Sequence, residues 1–329
     1  MPFDLSSALT DFAYAFLSIM LEGVPFILLG TLASGAITAF LPGTLLARWL
    51  PKNPAAAVFL SGFMGLLFPL CECGVVPVIR RLLKKGLPLA CGLTYMLSAP
   101  ILNLVVVIST YAAFTGQQPA LMTVLRLFGG YSVAVIAGLI VLRLPADKIL
   151  RPGLLEAPKA FRRTGLSISG EVEPASSGIE VEPKLTFRQK LGLAVNTTVV
   201  DFLQVSFYLA IGAALTALFK VFVDQSAITP LAYNEPAAIG TMMLLAMILS
   251  LCSTSDAFIA ATFVLFPMAA KLAFLTFGPM FDLKLIFLYR IIFNGRFILW
   301  LGIGLYLLIG LMCWRLGVVF TPPMPGLSN

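Results

Sequence analysis

Eight apolar runs leave this chain a single kind of solvent for most of its length. They fall near 12–41, 54–79, 87–112, 118–142, 191–223, 236–266, 268–281 and 285–314. Most reach the roughly 20 helical residues needed to cross about 30 Å of hydrocarbon. With 59% of 329 residues hydrophobic and 11% charged, no soluble domain could hide so much apolar surface. The expectation is an all-α polytopic protein of the lipid bilayer with about eight transmembrane helices. The run at 268–281 is short enough to dip into the membrane without crossing it. Pro69, Pro77 and Pro100 allow other spans to be broken.

Charge sets the orientation. The net charge is +7, and 13 of the 22 Lys and Arg fall in two places: Arg80, Arg81, Lys84 and Lys85, and the stretch Arg143 to Lys190. That is a positive-inside pattern rather than a nucleic-acid surface. Both stretches are assigned to the cytoplasm. Counting crossings back puts the N-terminus there too and leaves Arg48 and Lys52 outside. Asp4 and Asp11 stand where a cleavable signal would be basic, so the first segment is expected to remain as a helix. The expected location is a bacterial inner membrane, with both termini cytoplasmic.

Residues 143–190 are polar, with nine basic and six acidic residues, and read as a disordered cytosolic linker. They separate a first transmembrane repeat, 1–142, from a second, 191–329. The halves can be laid over each other. Glu22, Phe26 and Gly30 fall on Gln204, Tyr208 and Gly212, and Cys71 falls on Cys252. Ala99-Pro100-Ile101-Leu102-Asn103 falls on Gly278-Pro279-Met280-Phe281-Asp282, and Arg126 falls on Arg290. Secondary transporters are commonly built from such repeats, with sites near the midplane on broken helices. Four crossings per half would make the repeats parallel, and one re-entrant segment per half would make them inverted.

Five cysteines, 71, 73, 91, 252 and 313, all lie in apolar segments, and their odd number argues against a disulfide framework. The chain has no His, so metal or proton chemistry falls to thiols, carboxylates, hydroxyls and carbonyls. On a continuous helix Cys71 and Cys73 would point about 200° apart. The prolines and Gly74 around them predict an unwound stretch in which both sulfurs can turn inward. Glu72, at about 2.5–3.5 kcal/mol to insert at a helix centre, must face protein or water. The plainer alternative is that the thiols fill the core and Glu72 pairs with an Arg. Cys252-Ser253-Thr254-Ser255-Asp256 brings a thiol, three hydroxyls and an acid into the second half. If the halves face each other, Cys71, Cys73 and Cys252 form a three-sulfur pocket suited to soft metals or metalloids.

Glu72, Asp256, Ser253, Ser255, Asn103 and Asp282 complete the candidate substrate site. Glu22 is the candidate proton carrier, with a helix-end role as the alternative. Arg126 and Arg290 are expected to balance charge. Cys91 and Cys313 read as packing residues. No Walker A loop is present, no nucleophile–base pair marks an enzyme, and no cofactor is expected.

Pro69-Leu-Cys-Glu-Cys-Gly-Val-Val-Pro77, Arg81-Leu-Leu-Lys-Lys-Gly86, Ala99-Pro-Ile-Leu-Asn103, Leu249-Ser-Leu-Cys-Ser253 with Asp256-Ala-Phe258, and Gly278-Pro-Met-Phe-Asp-Leu-Lys284 together resemble the YraQ-type permease family, kin of ArsP-type organoarsenical efflux permeases. The resemblance covers both halves in order. It implies a duplicated eight-helix inner-membrane permease in which Cys71, Cys73 or Cys252 holds a thiophilic solute. Relatives often carry Glu where Thr254 stands and Pro where Leu104 stands. The reading that follows is a secondary efflux permease for a thiophilic metal or metalloid species. The alternatives are an anion permease, with Arg126 and Arg290 balancing charge, or a membrane subunit of a larger complex. A homo-oligomer or accessory subunit is compatible with each.

Overall fold

The computed structural model describes residues 5–41, 51, 53–67, 70–145, 149–151, 186–222 and 234–320. Most of the 143–190 linker, Pro69, Arg48, Lys52 and the chain ends lie outside the described residues. Helices dominate, and among the described residues the β-structure is one isolated antiparallel bridge, Leu150 to Phe293.

The first half contains α1 (Leu5–Phe40), α2 (Pro54–Gly62), α3 (Met64–Leu67), α4 (Glu72–Lys84), α5 (Leu89–Ser98), α6 (Leu104–Ala113) and α7 (Pro119–Val141). After the linker come α8 (Phe187–Phe222), α9 (Glu235–Leu249), α10 (Ser255–Thr262), α11 (Met268–Met280), α12 (Leu283–Tyr289) and α13 (Gly295–Phe320). Among the described residues, five helical stretches are long and apolar enough to span a membrane: Leu9–Phe40, Pro119–Val141, Phe187–Leu218, Met268–Tyr289 and Gly295–Gly317. The apolar runs at 54–79, 87–112 and 236–266 are each divided into shorter helices. The run at 268–281 passes through the extended Phe281 and Asp282 into α12.

The interruptions have local causes. The pyrrolidine ring of Pro100 cannot donate to a helix, and Asn103 restarts it by accepting the Val105 N–H on its side chain at 3.0 Å. Asp282 does the same for α12, accepting from Leu285 N at 2.7 Å. Between α9 and α10 the helix stops at Ser250, which adopts the left-handed conformation with φ 44°. A non-glycine residue holds that geometry only where its surroundings compensate. Here the Ser250 hydroxyl accepts from Leu283 N at 3.1 Å and donates to Met247 O at 2.9 Å.

Side-chain contacts give the directions of the pieces. Gly62 packs on Thr94, Gly65 packs on Ala99, and Ser98 Oγ donates to Gly62 O at 2.9 Å, so α2 and α5 run the same way. Gly92 meets Ile79 and Leu83, so α4 runs against α5. The chain therefore reverses between α3 and α4, at the first cysteine motif. Gly138 against Thr94, Gly130 against Ile101 and Arg126 on Thr110 place α7 antiparallel to the broken line α5–α6. In the second half, Gly317 meets Ala269 and Gly302 meets Phe281, so α13 opposes α11–α12. Gly278 meets Ala246, and Gly317 meets both Glu235 and Ala269, so α9 and α11 run the same way, while α10 leads from Cys252 back to the start of α11, where Lys271 and Ala261 meet on Gln117. The second cysteine motif is thus a reversal as well.

The short helices form the centre. All of α11 beyond Met268 and all of α5 beyond Leu89 are buried. The long helices surround them and turn Leu, Phe and Val outward: Phe128, Phe207, Leu299 and Trp300 are largely exposed, as a hydrocarbon solvent requires. α1 and α8 lie antiparallel through Gly23 on Leu209 and Gly35 on Thr198. α1 and α4 touch backbone to backbone. A Cβ on Gly74 would come within 2.7 Å of Phe26 O, the small-residue contact by which membrane helices approach closely.

Candidate functional site

The two reversals meet in the middle of the bundle. Cys71 is the N-cap of α4, Glu72 and Cys73 occupy its first turn, and the segment Ser250–Thr254 faces them. Lys284, in the first turn of α12, bridges the two. Its Nζ donates to Glu72 Oε1 at 3.0 Å, to Ser250 O at 3.1 Å and to Leu251 O at 3.2 Å, with Asp282 Oδ2 at 3.5 Å. Ser253 Oγ donates to the other Glu72 oxygen at 3.4 Å. Glu72, Asp282 and Lys284 are all buried. At such depth, charges persist only when paired and hydrogen-bonded.

A second buried pair stands beside the first. Arg126, in the middle of α7, contacts both oxygens of Asp256 at 2.9 and 3.0 Å, and also donates to Ser253 O at 2.9 Å and Thr110 Oγ1 at 2.7 Å. Its side chain is 1% exposed and that of Asp256 is 3%. Arg126 thus fixes the second cysteine segment from one side while Lys284 fixes it from the other.

A cavity of about 220 Å³ opens beside this network. Cys71, Glu72, Cys73, Cys252, Ser255 and Lys284 line it, with Ser18, Glu22 and Phe26 of α1 opposite. Glu22 stands at the rim, within 3.4 Å of Ser255 Oγ. The space suits a compact solute or a few waters. The five cysteines are all free thiols.

Of the sequence-derived candidates, Cys71, Cys73, Cys252, Glu72, Ser255 and Glu22 share this cavity. Ser253 and Asp282 sit directly behind it, bonded to Glu72 and facing Lys284. Asp256 is held one step away on Arg126, and Asn103 is the N-cap of α6. The three sulfurs line one wall system without closing into a cluster. Among the described residues no three His, Cys, Asp or Glu side chains are grouped to hold a metal ion, because Glu72 and Lys284 fill the junction between the two segments. Arg290 is not brought to the site. The short α12 ends at Tyr289, so Arg290 is an exposed C-cap at the end of the bundle, where its carbonyl accepts from Arg151 Nη1 at 3.2 Å. Its equivalence with Arg126 fails because Arg126 lies inside α7 whereas Arg290 precedes α13.

Lys284 is the functional residue that sequence reasoning passed over. A cation in an apolar stretch two residues after an acid carries the same insertion cost that marked Glu72 and Asp256. Asp201, 1% exposed, was also missed. Its carboxylate takes a two-point contact from Arg81, at 2.7 and 3.0 Å, and a 2.7 Å hydrogen bond from Ser34 Oγ. Arg80 Nη1 donates to Gln204 Oε1 at 2.6 Å beside it, and Lys85 Nζ reaches Leu41 O. This cluster joins α1, α4 and α8 on the side of the cavity away from Glu22.

The whole assembly has counterparts in sequence. A family described as a predicted permease, ArsP_1, matches residues 8–320. The UPF0718 protein YcgR of Bacillus subtilis is 37% identical over 86% of this chain and 89% of its own length. A Streptococcus mutans protein, named as a subunit of a two-component membrane permease complex, is 32% identical over 96% of this chain and 98% of its own. The UPF0718 protein MJ0584 of Methanocaldococcus jannaschii matches over a shorter stretch, 36% of this chain at 24% identity. No solved structure matches. With apolar helices long enough to span a membrane and a match running nearly end to end, the chain belongs to the ArsP_1 family of predicted permeases.

Proposed function

We propose that this chain is a secondary permease that moves a thiophilic metal or metalloid species through the cavity beside Cys71, Cys73 and Cys252. One observation carries the reading: three free thiols and Glu72, drawn from two chain reversals about 180 residues apart, line a single buried cavity. Soft sulfur ligands favour soft cargo. Efflux is the direction that the family resemblance implies, and Glu22 at the rim is the group placed to exchange protons.

The order of elements supports two homologous halves. On each side of the linker a long helix is followed by a hairpin that reverses at a cysteine. A line of two short helices restarted by Asn103 or Asp282 comes next, and a closing long helix ends the half. Because each hairpin returns to the end from which it came, each half makes three crossings and one re-entrant excursion. An odd number of crossings inverts the second half relative to the first, in keeping with the antiparallel α1 and α8. Six crossings then replace the eight that a count of continuous apolar runs suggests.

Uptake of trivalent arsenicals, Cu(I) and Zn(II) into everted membrane vesicles tests the cargo, with wild type compared against Cys71→Ser and Cys252→Ser. Uptake of one solute, lost in both variants at normal expression, is the expected result. Uptake indifferent to both cysteines would remove the thiols from the mechanism. A second reading has its own support, since the S. mutans relative is named as one subunit of a two-component complex. On that reading the isolated chain transports nothing, and a stoichiometric partner co-purifies with it.

A further inference from the structure

Lys284 Nζ sits in a cage of oxygens rather than in a two-partner ion pair. Four oxygens face it: Glu72 Oε1, Ser250 O, Leu251 O and Asp282 Oδ2, at 3.0, 3.1, 3.2 and 3.5 Å. Two are carboxylates from different halves of the chain. The other two are carbonyls freed where α9 ends and Ser250 turns left-handed. Carbonyls of an unwound segment at the C-terminal end of a broken helix, combined with carboxylates, are the donor set by which transporters hold alkali cations near the midplane.

One further observation sets the cage apart from an ordinary lysine pocket. Asp282 is fully buried, and its Oδ2 has no hydrogen-bond partner although it is aimed at the same point. The cage borders the cavity through Glu72, Ser250, Leu251 and Lys284, so small ions have a route to it.

We propose that Glu72, Asp282 and the carbonyls of Ser250 and Leu251 form a binding site for a monovalent hard cation of the Na⁺ class. The tethered ammonium of Lys284 fills it in place of a free ion. With its cation built into the chain, the protein needs no Na⁺ to hold the two reversals together. This inference concerns the oxygen cage and does not depend on the cargo being thiophilic.

The test is the melting temperature of purified protein in NaCl against choline chloride at equal ionic strength. Wild type is expected to melt alike in both. Lys284→Gln keeps the length of the side chain and removes its charge, leaving the cage to a free ion. This variant is expected to gain a saturable stabilisation of roughly 5 °C or more from Na⁺, the order reached at a hundredfold excess over Kd. Choline should give none, and Asp282→Asn added to Lys284→Gln should abolish the gain. A Lys284→Gln protein that folds and ignores Na⁺ overturns the proposal, as does a wild type that Na⁺ stabilises saturably. If Lys284→Gln fails to fold in Na⁺ while Glu72→Gln with Lys284→Gln folds, the proposal is also overturned, because Na⁺ then cannot replace the ammonium. Melting is read without any transported solute, so failure here leaves the thiol reading standing, and the converse holds too.

Discussion

At the scale of single residues, the centre of this protein is governed by what a low-dielectric interior does to charge. Arg126 and Asp256 gain from each other and from Thr110 and Ser253 O, yet both have lost their hydration, so the pair is worth less than either defect costs. Arg126→Met should destabilise the protein by about 3–5 kcal/mol, because a buried carboxylate is left alone. Adding Asp256→Asn should recover a large part of that loss. Denaturant unfolding in micelles checks the order of stabilities, and a double variant no better than Arg126→Met would show that the guanidinium acts by packing alone. The same physics decides what the sequence could disclose. Glu72 and Asp256 were legible as acids too costly to leave unpaired. Arg126 was legible as a charge-balancing residue, though not which acid it meets, whereas Lys284 was not legible, because it lies 212 residues from Glu72 and one sequence carries no record of distant pairing. Lys284 was also hidden by its own stem, since a lysine near a helix end is ordinarily taken to snorkel to the headgroups.

At the scale of elements, the breaks were readable and the reversals were not. Pro100 was readable as a break, and the structure has an interruption there that Asn103 ends; Pro77 and Gly74 instead lie inside α4, so the unwound stretch expected around the first cysteines stops at Cys71, the N-cap. Whether the chain continues or turns back after a break depends on the packing of the next helix. Here that packing is Gly62 and Gly65 against α5, and Gly92 against α4. The hairpin bearing Cys71 is tied at its far end by the Asp201 cluster, in which Arg81 of α4, Ser34 of α1 and Asp201 of α8 converge. That cluster lies on the side of the cavity away from the rim marked by Glu22, toward the basic end of the bundle. Asp201→Asn removes the charge that holds Arg80 and Arg81 while keeping the shape. Labelling of Cys73 by a membrane-impermeant thiol reagent in everted vesicles should then rise about tenfold, the equivalent of roughly 1.4 kcal/mol of opening. Labelling that stays at the wild-type rate would mean that the cluster fastens the helices without controlling access.

At the scale of the whole molecule, charge and chain direction agree on an orientation that differs from a simple count of apolar runs. Arg80, Arg81, Lys84 and Lys85 close the first hairpin, Arg143 follows α7, Arg188 and Lys190 open α8, and Arg290 and Arg296 flank the turn before α13. The bridge from Leu150 to Phe293 and the contact of Lys85 with Leu41 gather these positions at one end. At the other end, Lys220, Lys271 and Arg315 are the basic residues among those described. The helix directions put the start of α1 and the end of α13 at this second, charge-poor end. We propose from the positive-inside rule that the basic end is cytoplasmic; on that orientation the start of α1 and the end of α13 face outward, and the cavity rim at Glu22 opens on the side away from the cytoplasm. Eight continuous crossings would instead return both ends to the cytoplasm, so the proposed topology rests on the two hairpins. Thr115 lies in the turn between α6 and α7 at the charge-poor end, and Arg143 lies just past α7 at the basic end. Both are exposed, whereas the native cysteines are all buried. An impermeant maleimide applied to spheroplasts should therefore label Thr115→Cys and spare Arg143→Cys, and everted vesicles should give the opposite pattern. Labelling of Arg143→Cys from outside would invert the molecule, move the Asp201 cluster to the outer face and make the cavity one that opens to the cytoplasm.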